Sequence, residues 1–204
     1  MLFVFDMDNV LYDYDWRHRM SAMTELTGLE LTELRDRWWN AEGEGAAEAG
    51  AFPTPEAYLD ALSAALEVDL SVSDFLRARG GAMTPWPGSL AAVERAAELG
   101  TVTLLTNNGP LVEAHLATLA PELVPLFGRD HLFSSSHYGA RKPDPVVFER
   151  VLERYGADAS ETFFADDLPE NVAGARSVGI SAHLFRNPEG LLAAVDDFAV
   201  SVAA

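Results

Sequence analysis

The chain has 204 residues, enough for one domain or for a core carrying a smaller insertion, and 49% of them are hydrophobic, enough to fill a substantial interior. It has no cysteine, which excludes disulfides and thiolate metal sites and suits a reducing compartment. The formal net charge of −18, from 32 acids against 14 lysines and arginines, repels nucleic acid and anionic lipid at long range and reads first as a solubilising surface.

The first element is Leu2-Phe3-Val4-Phe5, a continuous apolar run that predicts a strand buried on both faces. It runs straight into Asp6 and Asp8. Residues from about Tyr14 to Met83 carry helical patterns and few strand signals. Leu26, Leu29, Leu31 and Leu34 recur at roughly helical spacing. Pro53 and Pro55 lead into a helix over Glu56 to Leu66, with Tyr58, Leu59, Leu62 and Leu66 on one face. Between these lies AEGEGAAEAG, Ala41 to Gly50, which reads as a mobile connection. After Pro85 the pattern changes to alternation. A helix from Ser89 to Leu99 ends at Gly100, and Thr101 to Thr106 is a strand. A helix near Leu111 to Leu119 precedes a short strand at His131 to Ser134. A helix from Pro145 to Tyr155 closes at Gly156, and Thr162 to Ala165 is a strand entering Asp166-Asp167. A helix from Glu170 to Val178, a strand from Ser181 to Phe185 and a helix from Pro188 to Phe198 complete the chain. No apolar run approaches the roughly 20 residues of a membrane span, and no basic leader precedes the first strand. The expectation is a cytoplasmic protein with neither membrane nor nucleic acid as partner.

Strands alternating with helices predict an α/β fold, a parallel sheet with helices on both faces. The first strand belongs to that sheet but is separated from it by a helical stretch. The economical division is a core of residues 1–13 and 84–204 with a helical insertion over 14–83. Three strands end in polar clusters: Asp6/Asp8, Thr106-Asn107-Asn108 and Asp166-Asp167. A fourth cluster, Arg141-Lys142-Pro143-Asp144-Pro145, opens a helix. Strand ends of one kind share an edge in a parallel sheet, so these groups can converge there. Together they supply carboxylates, a hydroxyl, amides and an ammonium, a set suited to a phosphoryl group and a hard divalent cation.

FDMDNVL, LLTNN, RKPDP and FFADDLPENVAGA, in that order, resemble the four motifs of the haloacid dehalogenase-like (HAD) hydrolases. The resemblance implies a Rossmann-like core with a small α-helical cap domain inserted after the first motif. It also implies a magnesium-dependent phosphatase acting on a small phosphomonoester through an aspartyl-phosphate. Asp6 would be the nucleophile and Asp8 the general acid and base, its backbone carbonyl also binding Mg2+. Thr106 would hold the phosphoryl oxygens, helped by amides at the following helix start, with Asn107 as a phosphate neighbour. Lys142 would neutralise charge on Asp6 and the phosphoryl group. Asp6, Asp8, Asp166 and Asp167 form the implied metal set, and which of Asp166 and Asp167 ligates directly stays open, since either could instead cap the next helix. Asn171 either supports that shell or lies in solvent.

A phosphosugar mutase, a metal-independent 2-haloacid dehalogenase and a non-catalytic binding protein on the same core remain alternatives. Asp8 and the Asp166-Asp167 pair favour phosphoryl transfer, because halide leaves without a proton. Substrate choice is expected in the cap. There Tyr12, Trp16, Arg17 and His18 follow the first motif, Arg17 and His18 being candidates for an anionic or polyol substrate. Trp38 and Trp39 cannot both be fully buried on one helix face. The nearest resemblance is to sugar-phosphate phosphatases of the glucose-1-phosphate type and to the phosphatase domains fused to epoxide hydrolases. Asn9 departs from the glycine that many such proteins carry.

Overall fold

The computed structural model describes residues 1–203. Five parallel strands form the main sheet: β1 (Leu2–Phe5), β4 (Thr101–Thr106), β5 (Leu132–Ser134), β6 (Thr162–Asp166) and β7 (Ser181–Leu184). Their order is β5-β4-β1-β6-β7, so the N-terminal strand is central, with β4 and β6 on either side. The chain builds one side of β1 first and then crosses to the other. That reversal creates a crevice outside the carboxyl ends of the central strands, where open α/β sheets take their ligands.

The apolar run of β1 is continuous because both its faces are covered. Phe3 and Phe5 point to one face, toward α6 (Pro87–Leu99), α9 (Leu123–Phe127) and α12 (Pro188–Ala203); Leu2 and Val4 point to the other, toward α10 (Pro145–Tyr155) and α11 (Pro169–Ser177). Predicted strand and helix positions in this half hold to within a few residues. The exception is the helix near Leu111 to Leu119, which breaks at His115 into α7 (Pro110–Ala114) and α8 (Leu116–Leu119).

Residues between the first strand and β4 depart further from expectation. A two-stranded antiparallel ribbon pairs β2 (Tyr12–Tyr14) with β3 (Met83–Pro85), tying together the two ends of the helical segment. Five helices lie between them: α1 (Trp16–Thr27), α2 (Leu31–Arg37), α3 (Glu44–Glu48), α4 (Pro55–Leu66) and α5 (Val72–Gly80). The leucine series does not form one helix. Gly28 ends α1 at φ 73°, and Leu31 is exposed while Leu34 is buried.

Ala41 to Gly50, expected to be a mobile connection, is ordered and contains α3. Glu44 and Ala47 are buried there, and Ser135 donates a 2.7 Å hydrogen bond to the Glu48 carbonyl. Its glycines serve close packing. A Cβ on Gly43 would lie 2.2 Å from the Trp38 carbonyl oxygen, so only glycine lets the backbone pass. Contacts of α4 with α7 and of α5 with α8 seat the segment over the sheet edge. Among the described residues no helix is long and apolar enough to cross a membrane.

Candidate active site

Register brings the distant motifs together. Phe5 pairs with Leu104 on one side and Ala165 on the other, so the next residue, Asp6, stands level with Asp166, and Thr106 lies one step further. The Asp6 amide donates to the Ala165 carbonyl at 3.0 Å, extending the ladder into the site. Beyond it the chain turns sharply. Asn9 adopts φ 58°, a conformation asparagine tolerates, and its Oδ1 accepts from the Tyr14 amide at 3.3 Å. Asparagine thus takes the positive φ that this turn requires.

Lys142 lies at the centre of the site. Its side chain is fully buried, with Nζ 2.9 Å from Asp6 Oδ1 and 2.6 Å from Asp166 Oδ2. Burial pushes its ammonium pKa down, but Asp166 and Asp6 outweigh burial and the net direction is up. Asn107 fixes the backbone that carries it. Its Nδ2 donates to the Lys142 carbonyl at 2.9 Å, and its Oδ1 accepts from the Lys142 amide at 3.0 Å. The Asn107 amide, expected beside the phosphate, is thus committed to Lys142. Thr106 is buried and accepts from Asn108 Nδ2 at 2.9 Å, which leaves its own hydroxyl hydrogen free to donate. The following helix, α7, has five residues and opens on Pro110, which has no N–H.

Asp166 is saturated. Oδ1 accepts from the Leu168 amide and from Asn171 Nδ2, both at 2.9 Å, and Oδ2 takes Lys142 and a 3.1 Å contact with Asn171. Asn171 is accordingly buried rather than solvated. Asp167 is half-buried, and burial and then Asp166 push its carboxyl up. Asp6, Asp166 and Asp167 each present an oxygen within 4.8 Å of the others. Burial pushes the Asp6 carboxyl well above its ordinary range. Lys142 opposes this, while Asp166 and Asp8 add to it. Three carboxylates facing one ammonium leave an excess of buried negative charge. A hard divalent cation would relieve that excess, and all the donors are hard oxygens, so the residues fit Mg2+.

The Asp8 side chain is held by Arg79 of α5, Nη2 lying 2.7 Å from each carboxylate oxygen, and its charge is close enough to push the Asp6 and Asp167 carboxyls up. Arg17 and His18 are exposed on α1 and are not brought to the site. The inward residues of that turn are Trp16 and Arg19. Tyr12 is buried and donates to Glu122 at 2.6 Å. Trp38 is in the core, donating through Nε1 to Glu44 at 2.7 Å. Trp39 lines a cavity of about 550 Å³ together with Trp16, Arg35, Glu44, Glu48 and Arg141. The lining residue Glu48 is close enough for the Lys142 charge to act on its carboxyl, so this cavity adjoins the site.

A family model for haloacid dehalogenase-like hydrolases matches residues 1–179. The chain belongs to the haloacid dehalogenase-like hydrolases. It is a phosphatase-like enzyme of that family. A phosphatase of Mycobacterium tuberculosis is 33% identical over 191 residues, covering 89% of this chain and 85% of the relative. A HAD family enzyme of Bacteroides thetaiotaomicron, solved in complex with magnesium and inorganic phosphate, superposes with a TM-score of 0.75 at 22% identity, over 91% of this chain and 93% of its own. A 2-haloacid dehalogenase of Pseudomonas syringae superposes with a TM-score of 0.69 at 20% identity, over 100% and 99%. At these identities the two structures share the HAD hydrolase fold.

Arg79, Arg19, Glu44, Glu48 and Arg141 were not assigned roles from sequence. Nothing in a charge pattern says which arginine of a helical segment faces inward. The partners of Arg79 and Arg141, Asp8 and Glu48, lie far away in the chain.

Proposed function

We propose that this HAD hydrolase is a magnesium-dependent phosphatase of small phosphomonoesters such as sugar phosphates, working through an aspartyl-phosphate on Asp6. The carrying observation is the buried Lys142 ammonium shared by Asp6 and Asp166 at the carboxyl edge of the central strands. A carboxylate oxygen of Asp6 attacks phosphorus and the P–O ester bond breaks. Asp8 gives its proton to the departing alkoxide. Water then attacks the acyl phosphate and returns a proton to Asp8. Inorganic phosphate leaves and Asp6 is restored.

Thr106 donates its free hydroxyl to a phosphoryl oxygen, and Lys142 offsets charge on Asp6 and the transferring group. Asp6, Asp167 and the Asp8 backbone carbonyl are the proposed metal ligands. Asp166, with its oxygens already occupied, holds Lys142 and the Leu168 turn in place. When bound, Mg2+ would supply positive charge against the phosphoryl oxygens and the nucleophile. The fold relative crystallised with magnesium and inorganic phosphate supports this reading. A dehalogenase reaction would leave Asp8 without a task, since halide needs no proton.

Residues 14–83 are proposed as a cap domain on a core of 1–13 and 84–204, with the cavity beside Arg141 receiving the alcohol part of the ester. Asp6→Asn removes the nucleophile while keeping shape and burial. Turnover should become undetectable with the melting temperature retained; substantial residual turnover would remove Asp6 from its role.

A further inference from the structure

One side chain of the helical segment reaches an acid of the core. Arg79 sits in the last turn of α5, fully buried, 71 positions from Asp8. Its Nη2 lies 2.7 Å from both Asp8 oxygens, and its Cζ lies 4.0 Å from the centroid of the Tyr14 ring. Nε and Nη1 are buried without partners among the described residues. Burying unpaired donors costs free energy, and an ion pair serving stability alone would be expected to use the guanidinium fork on both oxygens. Here a single nitrogen bridges the two oxygens.

Asp8 itself has little else to orient it. Its backbone is set by the turn through Asn9, but among the described residues Arg79 is the only side chain that bonds its carboxylate. The arginine, by contrast, is held on several sides. α5 packs on α1 and α8, and the Tyr14 ring supports the guanidinium face. Position is therefore imposed by Arg79 on Asp8 rather than the reverse.

We propose that Arg79 is a positioning residue for Asp8, fixing the carboxylate where it serves the leaving group and making proton delivery depend on the seating of α5. This rests on the reading of Asp8 as the general acid. A proton donor displaced by about 1 Å can cost on the order of 100-fold in rate, and only where a proton is needed. An alkyl phosphate expels an alkoxide and needs that proton; 4-nitrophenyl phosphate expels a stable phenolate and does not.

The test measures kcat and KM on glycerol phosphate and on 4-nitrophenyl phosphate, with magnesium, for the wild type, Asp8→Asn, Arg79→Met and Arg79→Lys. Arg79→Met should lose about 100-fold more kcat on the alkyl ester than on the nitrophenyl ester, and Arg79→Lys should recover part of that loss. The quantity read is a ratio between two substrates on one preparation, so a partly unfolded sample does not alter it. Should Arg79→Met not fold, the ratio for Arg79→Lys decides. Equal losses on both esters, or a change confined to KM, overturn the proposal in favour of a structural or substrate-binding role. If Asp8→Asn itself shows no discrimination between the esters, the assignment of Asp8 as acid falls, and the proposal falls with it.

Discussion

Lys142 brings an ammonium into a site that its own side chain barely leaves open to water, with Asp6 at 2.9 Å and Asp166 at 2.6 Å. Removing one member of a buried ion pair leaves uncompensated charge and costs about 3–5 kcal/mol, more than the pair gains over an apolar replacement. Lys142→Met should therefore lower the unfolding free energy by about that amount near neutral pH, as read by denaturant titration of the metal-free protein. A loss under about 1 kcal/mol would mean the carboxylates are solvated rather than held by the ammonium. That Asp6, Thr106 and Lys142 meet at one edge was legible because motif order, strand ends and the start of a helix pointed there. Asn107 was legible as a polar residue at the edge and was expected beside the phosphate. That its amide grips the Lys142 backbone depends on a loop 35 positions away, which no local pattern reveals.

Strands and helices of the core were readable because their burial is periodic or continuous. The β2–β3 ribbon was not: its strands have three residues each, too short for an alternation to register. α3 was missed for a different reason. Glycines in a sequence signal freedom, whereas Gly43 is needed where backbone meets backbone. Gly174 makes the same point inside α11. A Cβ there would lie 2.3 Å from the Pro143 carbonyl oxygen, so glycine sets how closely α11, bearing Asn171, approaches the Lys142 loop. Gly174→Ala should destabilise by about 1–3 kcal/mol despite the better helix propensity of alanine, with a lower melting temperature and reduced turnover. A gain in stability would show that the loop yields freely.

The molecule as a whole carries an excess of acid, and Glu48 of α3 is one acid that is largely withdrawn from water. Arg141 Nε lies 2.8 Å from Glu48 Oε2 but off the hydrogen-bonding direction. Burial, partly opposed by Arg141, pushes the Glu48 carboxyl from 4.5 up to about 8. Between those values the folded state keeps a proton that the unfolded chain releases. Stability from this group is fully present below about 4.5 and declines as pH rises toward about 8. Burial pushes Asp6 and Asp167 in the same direction. The metal-free protein should thus unfold more readily as pH rises through that window, and Glu48→Gln should flatten the decline; an unchanged slope would place Glu48 in contact with water.

The reading of the site as a magnesium-dependent phosphatase is tested most directly by turnover of a sugar-phosphate panel with magnesium and again after complete chelation. Phosphate release that requires magnesium and stops on chelation is the predicted result. Release that survives full removal of divalent cations, or metal-independent halide release from a 2-haloacid with no phosphatase activity, would contradict it.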